Sequence, residues 1–214
     1  MLYQISDFMT YSKELAGYKL DKFSSGNMSL RLSEGRVAIK PSGFAYEEIK
    51  FEDISIVDLG GNHLSGKNPS SDLMMHLEIF RAKEEVNCII HTHSHFATVM
   101  SCLNRPLKVL TTLHADYFGK EIYCMHYTNH RHKNIGTEAV KSGENIMLLE
   151  RHGALIFGDN IKNLIRNIVI LEEISKLNFN IEKISPGLRP IQKDDISKLY
   201  DYYSKKYCKT NKNW

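Results

Sequence analysis

The sequence predicts a single α/β domain spanning residues 1–214: a sheet of many strands, largely adjacent in sequence, with helices packed against it. Three observations lead to that class. The length suits one core of ordinary size. From about residue 27 to residue 158, short apolar or alternating segments recur between Gly, Pro and Asn turn signals, as strands do. Other segments repeat apolar residues every three or four positions, as the buried face of a helix does.

In chain order, Ile5, Phe8, Leu15 and Tyr18 recur at helical spacing and predict a first helix weakened at Gly17. The segments 27–32 (NMSLRL), 36–43 (RVAIKPSG) and 53–59 (DISIVDL), the last ending at Gly60-Gly61, alternate and read as strands joined by tight turns. Residues 68–83 carry Pro69 and two serines ahead of Leu73, Leu77 and Phe80, which predicts an amphipathic helix. A strand over 86–93 then runs into a helix that Asn104-Arg105-Pro106 ends. Strands are predicted at 107–113 (LKVLTTL), 121–125, 146–150 and 154–158, with a short helix near 136–143. The longest helix is predicted over 160–177, from the broad face formed by Ile161, Leu164, Ile165, Ile168 and Leu171. Ile196, Leu199, Tyr200 and Tyr203 predict a terminal amphipathic helix over 193–207.

Composition excludes several classes. With 42% hydrophobic and 25% charged residues the chain has ordinary globular composition, and no apolar run approaches the roughly 18 residues of a membrane span. The N-terminus lacks the basic start and long apolar block of a secretory signal, so a cytoplasmic protein is expected. Cys88, Cys102, Cys124 and Cys208 form no C-x-x-C pair and are expected to be free thiols. A net charge of +3 is too small to indicate nucleic acid but suits a small anionic substrate.

The stretch VNCIIHTHSHF holds three of the ten histidines on alternating positions. On a strand His91 and His93 point the same way and Thr92 the other, so two imidazoles are placed as a pair. Neutral imidazoles suit zinc, and a catalytic zinc usually takes three protein ligands. His152, between two apolar segments and followed by Gly153, is the candidate third, with His95 as its competitor. His76 reads as structural or as a support to the ligands, and His126, His130 and His132 as members of a polar loop.

Three further segments, at 24–29 (SSGNMS), 40–43 (KPSG) and 68–71 (NPSS), combine small hydroxyl or amide side chains with Gly or Pro at a turn. Such turns expose backbone N–H groups to an anion. Lys40 adds a charge, and Ser70 and Ser71 are expected to open a helix, whose N-terminus favours phosphate. With a candidate metal nearby, the combination suggests a phosphorylated sugar.

Taken in order, Gly26-Asn27-x-Ser29, KPSG, PSSD, HTHS-x-x-AT and His152-Gly153 resemble the class II aldolase and adducin family over nearly the whole chain. Asp72 in PSSD, the HTHSHFAT stretch and LHADYFG are most similar to its epimerase branch, which acts on L-ribulose 5-phosphate. The resemblance implies a mainly antiparallel sheet flanked by helices and a homotetramer with sites shared between subunits. It also implies zinc, or manganese or cobalt, held by His91, His93 and His152 with Asp72 beside it. Asn27, Lys40, Ser42, Gly43, Ser70 and Ser71 would hold the phosphate, and Asp116 and a tail tyrosine would serve as acid and base, with Asp72 as a further proton-transfer group. The tail departs from the family ending, and Tyr207 is preferred there over Tyr202 and Tyr203. The loop 127–136 is nearer in length to that of the aldolase branch, which releases dihydroxyacetone phosphate and an aldehyde. A metal-free, adducin-like binding module is the rival of a different class, and the histidine set argues against it.

Overall fold

Alternation along the strands sorts the apolar residues onto the two faces of one sheet. The computed structural model of the protein describes residues 3–127 and 134–207, with Tyr207 described by its backbone alone. The strands are β1 (Asn27–Arg31), β2 (Arg36–Ile39), β3 (Ser55–Asp58), β4 (His63–Ser65), β5 (Cys88–Thr92), β6 (Tyr123–Met125), β7 (Ile146–Leu149) and β8 (Gly153–Gly158). They form one eight-stranded sheet in the order β4-β3-β2-β1-β5-β8-β7-β6. All neighbours are antiparallel except β6 and β7, which are parallel.

Helices cover both faces, so both carry apolar rows. Met28, Leu30, Ile90, Ala154 and Ile156 share a core with α1 (Ile5–Gly17), α3 (His95–Ser101) and α6 (Ile161–Ile184). Val37, Val57, Ile89, Leu155 and Phe157 pack on the other side with residues of α2 (Leu73–Ala82) and α5 (Ile135–Lys141). One strand breaks this rule. On β1 the side chains that alternate with Met28 and Leu30, those of Asn27, Ser29 and Arg31, are polar, and Arg31 turns to α2, donating to the Phe80, Lys83 and Val86 carbonyls at 2.6–3.1 Å. The bond to Phe80 satisfies a main-chain oxygen in the last turn of α2, and the other two tie the chain that follows α2 to β1.

The expected sheet and the seven helices of the described residues agree in outline with the sequence, with four local differences. The predicted strand at 107–113 is not one: Leu107 makes a single bridge to Ile122, and Thr112–Phe118 form helix α4. Local capping overrides the β-branched run there, since Thr111 Oγ1 accepts the His114 N–H at 3.3 Å and Gly119, with φ 64°, closes the last turn. The helix expected from residue 68 begins at Leu73, which leaves Ser70 and Ser71 in the turn before it. Helix α6 runs to Ile184, beyond the expected 177, and β4 carries no signal because all three residues are exposed. Helix α7 (Lys193–Tyr202) packs on α4 through Ile196, Leu199, Val109 and Ala115. Cys88, Cys102 and Cys124 are free thiols, and Cys208 lies outside the described residues. Among the described residues no helix is long and apolar enough to cross a membrane.

His114 links this small cluster to pH. Its ring is fully buried, with Nε2–H donated to the Lys120 carbonyl at 3.0 Å, and burial pushes its pKa down to about 4. Between that value and the ordinary 6.5 the unfolded chain binds a proton that the folded chain does not, so stability is present above pH 6.5 and is lost as the pH falls towards 4. At about 1.4 kcal/mol per pH unit, the loss from this one residue is on the order of 3 kcal/mol. Urea unfolding at pH 7 and pH 5 should show a smaller loss for His114→Gln than for wild type, and equal losses would disprove the assignment.

Candidate metal centre

The face of the sheet under α2 is apolar along most of β5 and β8 and turns polar at one end. Ile89 gives way to His91 two residues on, opposite Leu155 of β8 and Asn27 of β1. His91 is fully buried and donates Nδ1–H to the Ala154 carbonyl at 2.9 Å, which leaves Nε2 with its lone pair directed away from β8. His93 follows one residue after β5 ends and is exposed, so the same-face placement expected from alternation survives past the strand end.

His152 enters from the turn joining β7 to β8. That turn is tight: the His152 N–H meets the Leu149 carbonyl at 3.0 Å and Arg151 has φ 58°. Gly153 then passes so close to β5 that a Cβ on it would stand 2.2 Å from the Thr92 carbonyl oxygen. Only glycine permits this approach, which brings the His152 ring centroid within 4.7 Å of that of His91 and 4.9 Å of that of His93.

The three donor atoms lie within 4.8 Å of one another, and Nε2 of His91 is 2.9 Å from Nε2 of His93. Zinc bound at about 2.0–2.1 Å holds its nitrogens roughly 3.3 Å apart, a spacing within a small side-chain rotation of this one. Donor chemistry agrees, since burial pushes the His91 pKa down to about 3, against the opposing charge of Asp72. A neutral His91 offers a lone pair at neutral pH. Burial falls from His91 through His152 to His93, so the cluster opens on one side, where a substrate can reach it.

Asp72, the residue before α2, stands 3.9 Å from His91 through Oδ2. Because His91 is neutral, this is no ion pair. Asp72 Oδ2 accepts from Asn27 Nδ2 at 2.7 Å, Asn27 Oδ1 accepts from His76 Nε2 at 2.6 Å, and His76 Nδ1 meets Ser29 Oγ at 2.6 Å. The amide oxygen can only accept, which fixes the His76 proton on Nε2 and makes Ser29 the donor to Nδ1. Burial disfavours the Asp72 carboxylate, but His91, the Asn27 amide and the other histidines outweigh it and hold the carboxyl below its usual range. His76, expected as a support, is thus the buried centre of a chain that orients Asp72.

The segments KPSG and NPSS, far apart in sequence, lie side by side. Pro41 and Pro69 form an antiparallel bridge, the Ser42 N–H reaches the Asn68 carbonyl at 2.8 Å, and the Ser70 N–H reaches the Lys40 carbonyl at 3.0 Å. Ser42, Gly43 and Ser71 are exposed on this double turn, and Gly43 takes φ 82°. Ser70 Oγ accepts the Asp72 N–H at 3.2 Å, which ties the turn to the metal side. Lys40 is directed otherwise than expected: it is 2% exposed, donates Nζ to the Ser24 carbonyl at 2.8 Å, and has its pKa pushed down to about 8 by burial. Asn27 is likewise engaged, with both ends of its amide bonded as described above.

Asp116 lies on α4, half-buried, with burial raising its pKa, and α4 packs on α7 and α6 rather than on β5. Its neighbour Tyr117 stacks on Tyr203 with ring centroids 4.8 Å apart. The Tyr207 side chain lies outside the described residues, as do His130 and His132. His95, exposed on α3, sets its ring against Phe96. Two contributors have no sequence signal. Asp21 accepts the main-chain N–H of His93 at 2.7 Å, and Glu172 of α6 accepts those of Phe96 and Ala97 at 2.8 and 2.9 Å, capping α3 just after the histidines.

Known proteins resemble this chain over most of its length. The family model of the class II aldolase and adducin N-terminal domain matches residues 6–179, which contain every histidine of the cluster and both turns. The chain belongs to that family. As a family member it is 31% identical over 194 residues to L-ribulose-5-phosphate 4-epimerase UlaF of Salmonella paratyphi A, covering 83% of this chain and 85% of the relative, and the Salmonella typhi protein gives the same figures. Among solved structures of the family, an L-fuculose 1-phosphate aldolase superposes with TM-score 0.82 at 27% identity, covering 95% of this chain and 98% of the aldolase. The L-fuculose-1-phosphate aldolase of Thermus thermophilus does so with TM-score 0.73 at 20% identity, covering 87% and 97%, a likeness of fold.

Proposed function

We propose that the protein is a metal-dependent pentulose-phosphate 4-epimerase that interconverts L-ribulose 5-phosphate and D-xylulose 5-phosphate by breaking and re-forming a C–C bond. The observation that carries this reading is the junction at Asp72. One residue there links the His91–His93–His152 cluster to the double turn, through His91 on one side and Ser70 on the other. The 31% identity to an L-ribulose-5-phosphate 4-epimerase supports the choice of reaction.

Inverting a carbinol centre that is not acidic, in a sequence with no nicotinamide-binding motif such as G-x-G-x-x-G after a strand, calls for cleavage of a bond other than C–H. Zinc, manganese or cobalt at the three imidazoles would supply Lewis-acid stabilisation of the negative charge left when the bond between C3 and C4 breaks. The protein's own groups do the rest. Ser42, Gly43, Ser70 and Ser71 hold the phosphate with hydroxyl and main-chain donors, and Lys40 and Asn27 hold the loops that shape this cradle. One group takes the C4 hydroxyl proton and another returns one from the opposite face, and Asp116 with a tail tyrosine, Tyr207 before Tyr202 or Tyr203, fits that pair. Since α4 packs on α7 and α6 rather than on β5, we assign Asp116 to the site of a neighbouring subunit in a homotetramer.

Proton and phosphorus NMR of L-ribulose 5-phosphate with the zinc-loaded protein tests the reading. Accumulation of D-xylulose 5-phosphate is expected. Asp116→Asn should lower that rate about 10²–10⁴-fold, the usual worth of a general acid or base, and a full rate would remove Asp116 from the mechanism. Mixed oligomers of Asp116→Asn and His152→Ala should regain activity if the site is shared between subunits. The fit to an L-fuculose 1-phosphate aldolase favours one second reading, a class II aldolase in which Asp72 moves the proton. Dihydroxyacetone and glycolaldehyde phosphate in the same spectra, or dihydroxyacetone phosphate and an aldehyde from a ketose 1-phosphate, would establish that reading instead.

A further inference from the structure

The ligand cluster depends on where the main chain carries His93, and β5 stops one residue short of it. Beyond Thr92 the ladder to β8 ends, so something other than the sheet must hold the His93 main chain. Its N–H is donated to Asp21 Oδ1 at 2.7 Å, across 72 residues of sequence. Asp21 sits in the connection between α1 and β1, and three features of that connection fit it to this task.

Gly26 makes room: a Cβ there would stand 2.2–2.6 Å from the atoms of the Asp21 carboxyl group, so any other residue would displace the carboxylate. Lys40, almost wholly buried, donates Nζ to the Ser24 carbonyl of the same connection at 2.8 Å and sets its positive charge where it acts on Asp21. The second carboxylate oxygen is buried with no hydrogen-bond partner among the described residues, so the hydrogen bonding of this carboxylate is spent on His93. An acidic side chain placed only to close a loop would bond within that loop. This one bonds the main chain of a metal-site histidine instead.

We infer that Asp21 is a positioning residue for the metal centre, one that fixes the His93 main chain and thereby its imidazole, with Lys40 holding the Asp21 connection against the KPSG turn. The inference rests on the proposed metal binding by the three histidines. Supports of this kind are commonly worth 10–100-fold in metal affinity.

The test is zinc affinity, measured by competition with a fluorescent chelator, for wild type, Asp21→Ala and Asp21→Asn, together with the visible spectrum of each protein loaded with Co2+. Asn keeps an oxygen acceptor at the same place, whereas Ala removes it. Asp21→Ala should bind zinc 10–100-fold more weakly and shift the Co2+ bands, and Asp21→Asn should stay within about threefold of wild type. The metal-free forms of the two variants should melt together. Wild-type affinity and spectrum in Asp21→Ala would overturn the inference while leaving the metal reading intact. It would also be overturned if Asn proved as weak as Ala and both metal-free variants melted well below wild type, since Asp21 would then serve only fold stability. A wild-type protein that takes up no zinc would overturn the metal reading and this inference together.

Discussion

His152→Ala is expected to purify with close to no bound metal and to lose at least about a thousandfold in kcat/KM for the sugar phosphate. The magnitude follows from the role: Lewis-acid stabilisation is worth several kcal/mol, and each 1.36 kcal/mol is a factor of ten in rate. The position makes the result readable. His152 is half-buried at the end of a turn, outside the apolar rows of the sheet, so its loss leaves the core in place. The metal-free variant should melt within a few degrees of metal-free wild type, while the stabilisation that zinc gives to wild type disappears. Elemental analysis after dialysis, with the NMR assay on the same samples, checks both halves. Full metal content and full rate would show that His152 is not a ligand.

Gly153→Ala should be nearly as damaging by a different route. Its Cβ would lie 2.2 Å from the Thr92 carbonyl oxygen and 3.2 Å from Cδ2 of His93. Neither main chain can yield without parting β5 from β8 beside the histidines. Overpacking of this kind costs about 3 kcal/mol, which lowers Tm by roughly 6–12 °C in a chain of this length. Metal affinity should fall too, since the parting separates His152 from His91 and His93. Gly66→Ala is the control. Its Cβ would stand 1.9 Å from the Ile54 carbonyl oxygen, with φ 82°, at the far edge of the sheet by β4. It should lose comparable stability and keep wild-type zinc affinity, whereas equal loss of affinity in both variants would trace the Gly153 effect to general instability.

Much of the fold is legible because periodicity reports burial. The stripe Ile161, Leu164, Ile165, Ile168 and Leu171 gives α6, and the alternation of NMSLR gives β1, with Met28 and Leu30 in one core and Asn27 and Ser29 turned to the other side. Residues 107–113 mislead for the same reason. Their β-branched residues carry strand propensity, and what decides against it is a capping threonine, a left-handed glycine and the packing of α7.

The candidate site divides in the same way. The HTH spacing is local: a strand of period two puts His91 and His93 on one face wherever it is found. The His-Gly pair is local too, because only glycine admits the close approach behind His152. Which carbonyl orients His91, how His76 and Asn27 direct Asp72, and the bridge between Pro41 and Pro69 are contacts across 28 to 63 residues of chain, with no trace in any window of sequence.

By itself, then, the sequence determined which residues could serve as metal and phosphate donors and on which kinds of element they would sit, since residue chemistry and local period are written in short stretches. Only the tertiary structure decided that Lys40 turns inward to Ser24, that Asp21 reaches the His93 main chain, and that the helix carrying Asp116 packs on α7 and α6 rather than on the strand carrying His91. These are questions of which segments become neighbours, and the packing of the whole sheet against its helices answers them.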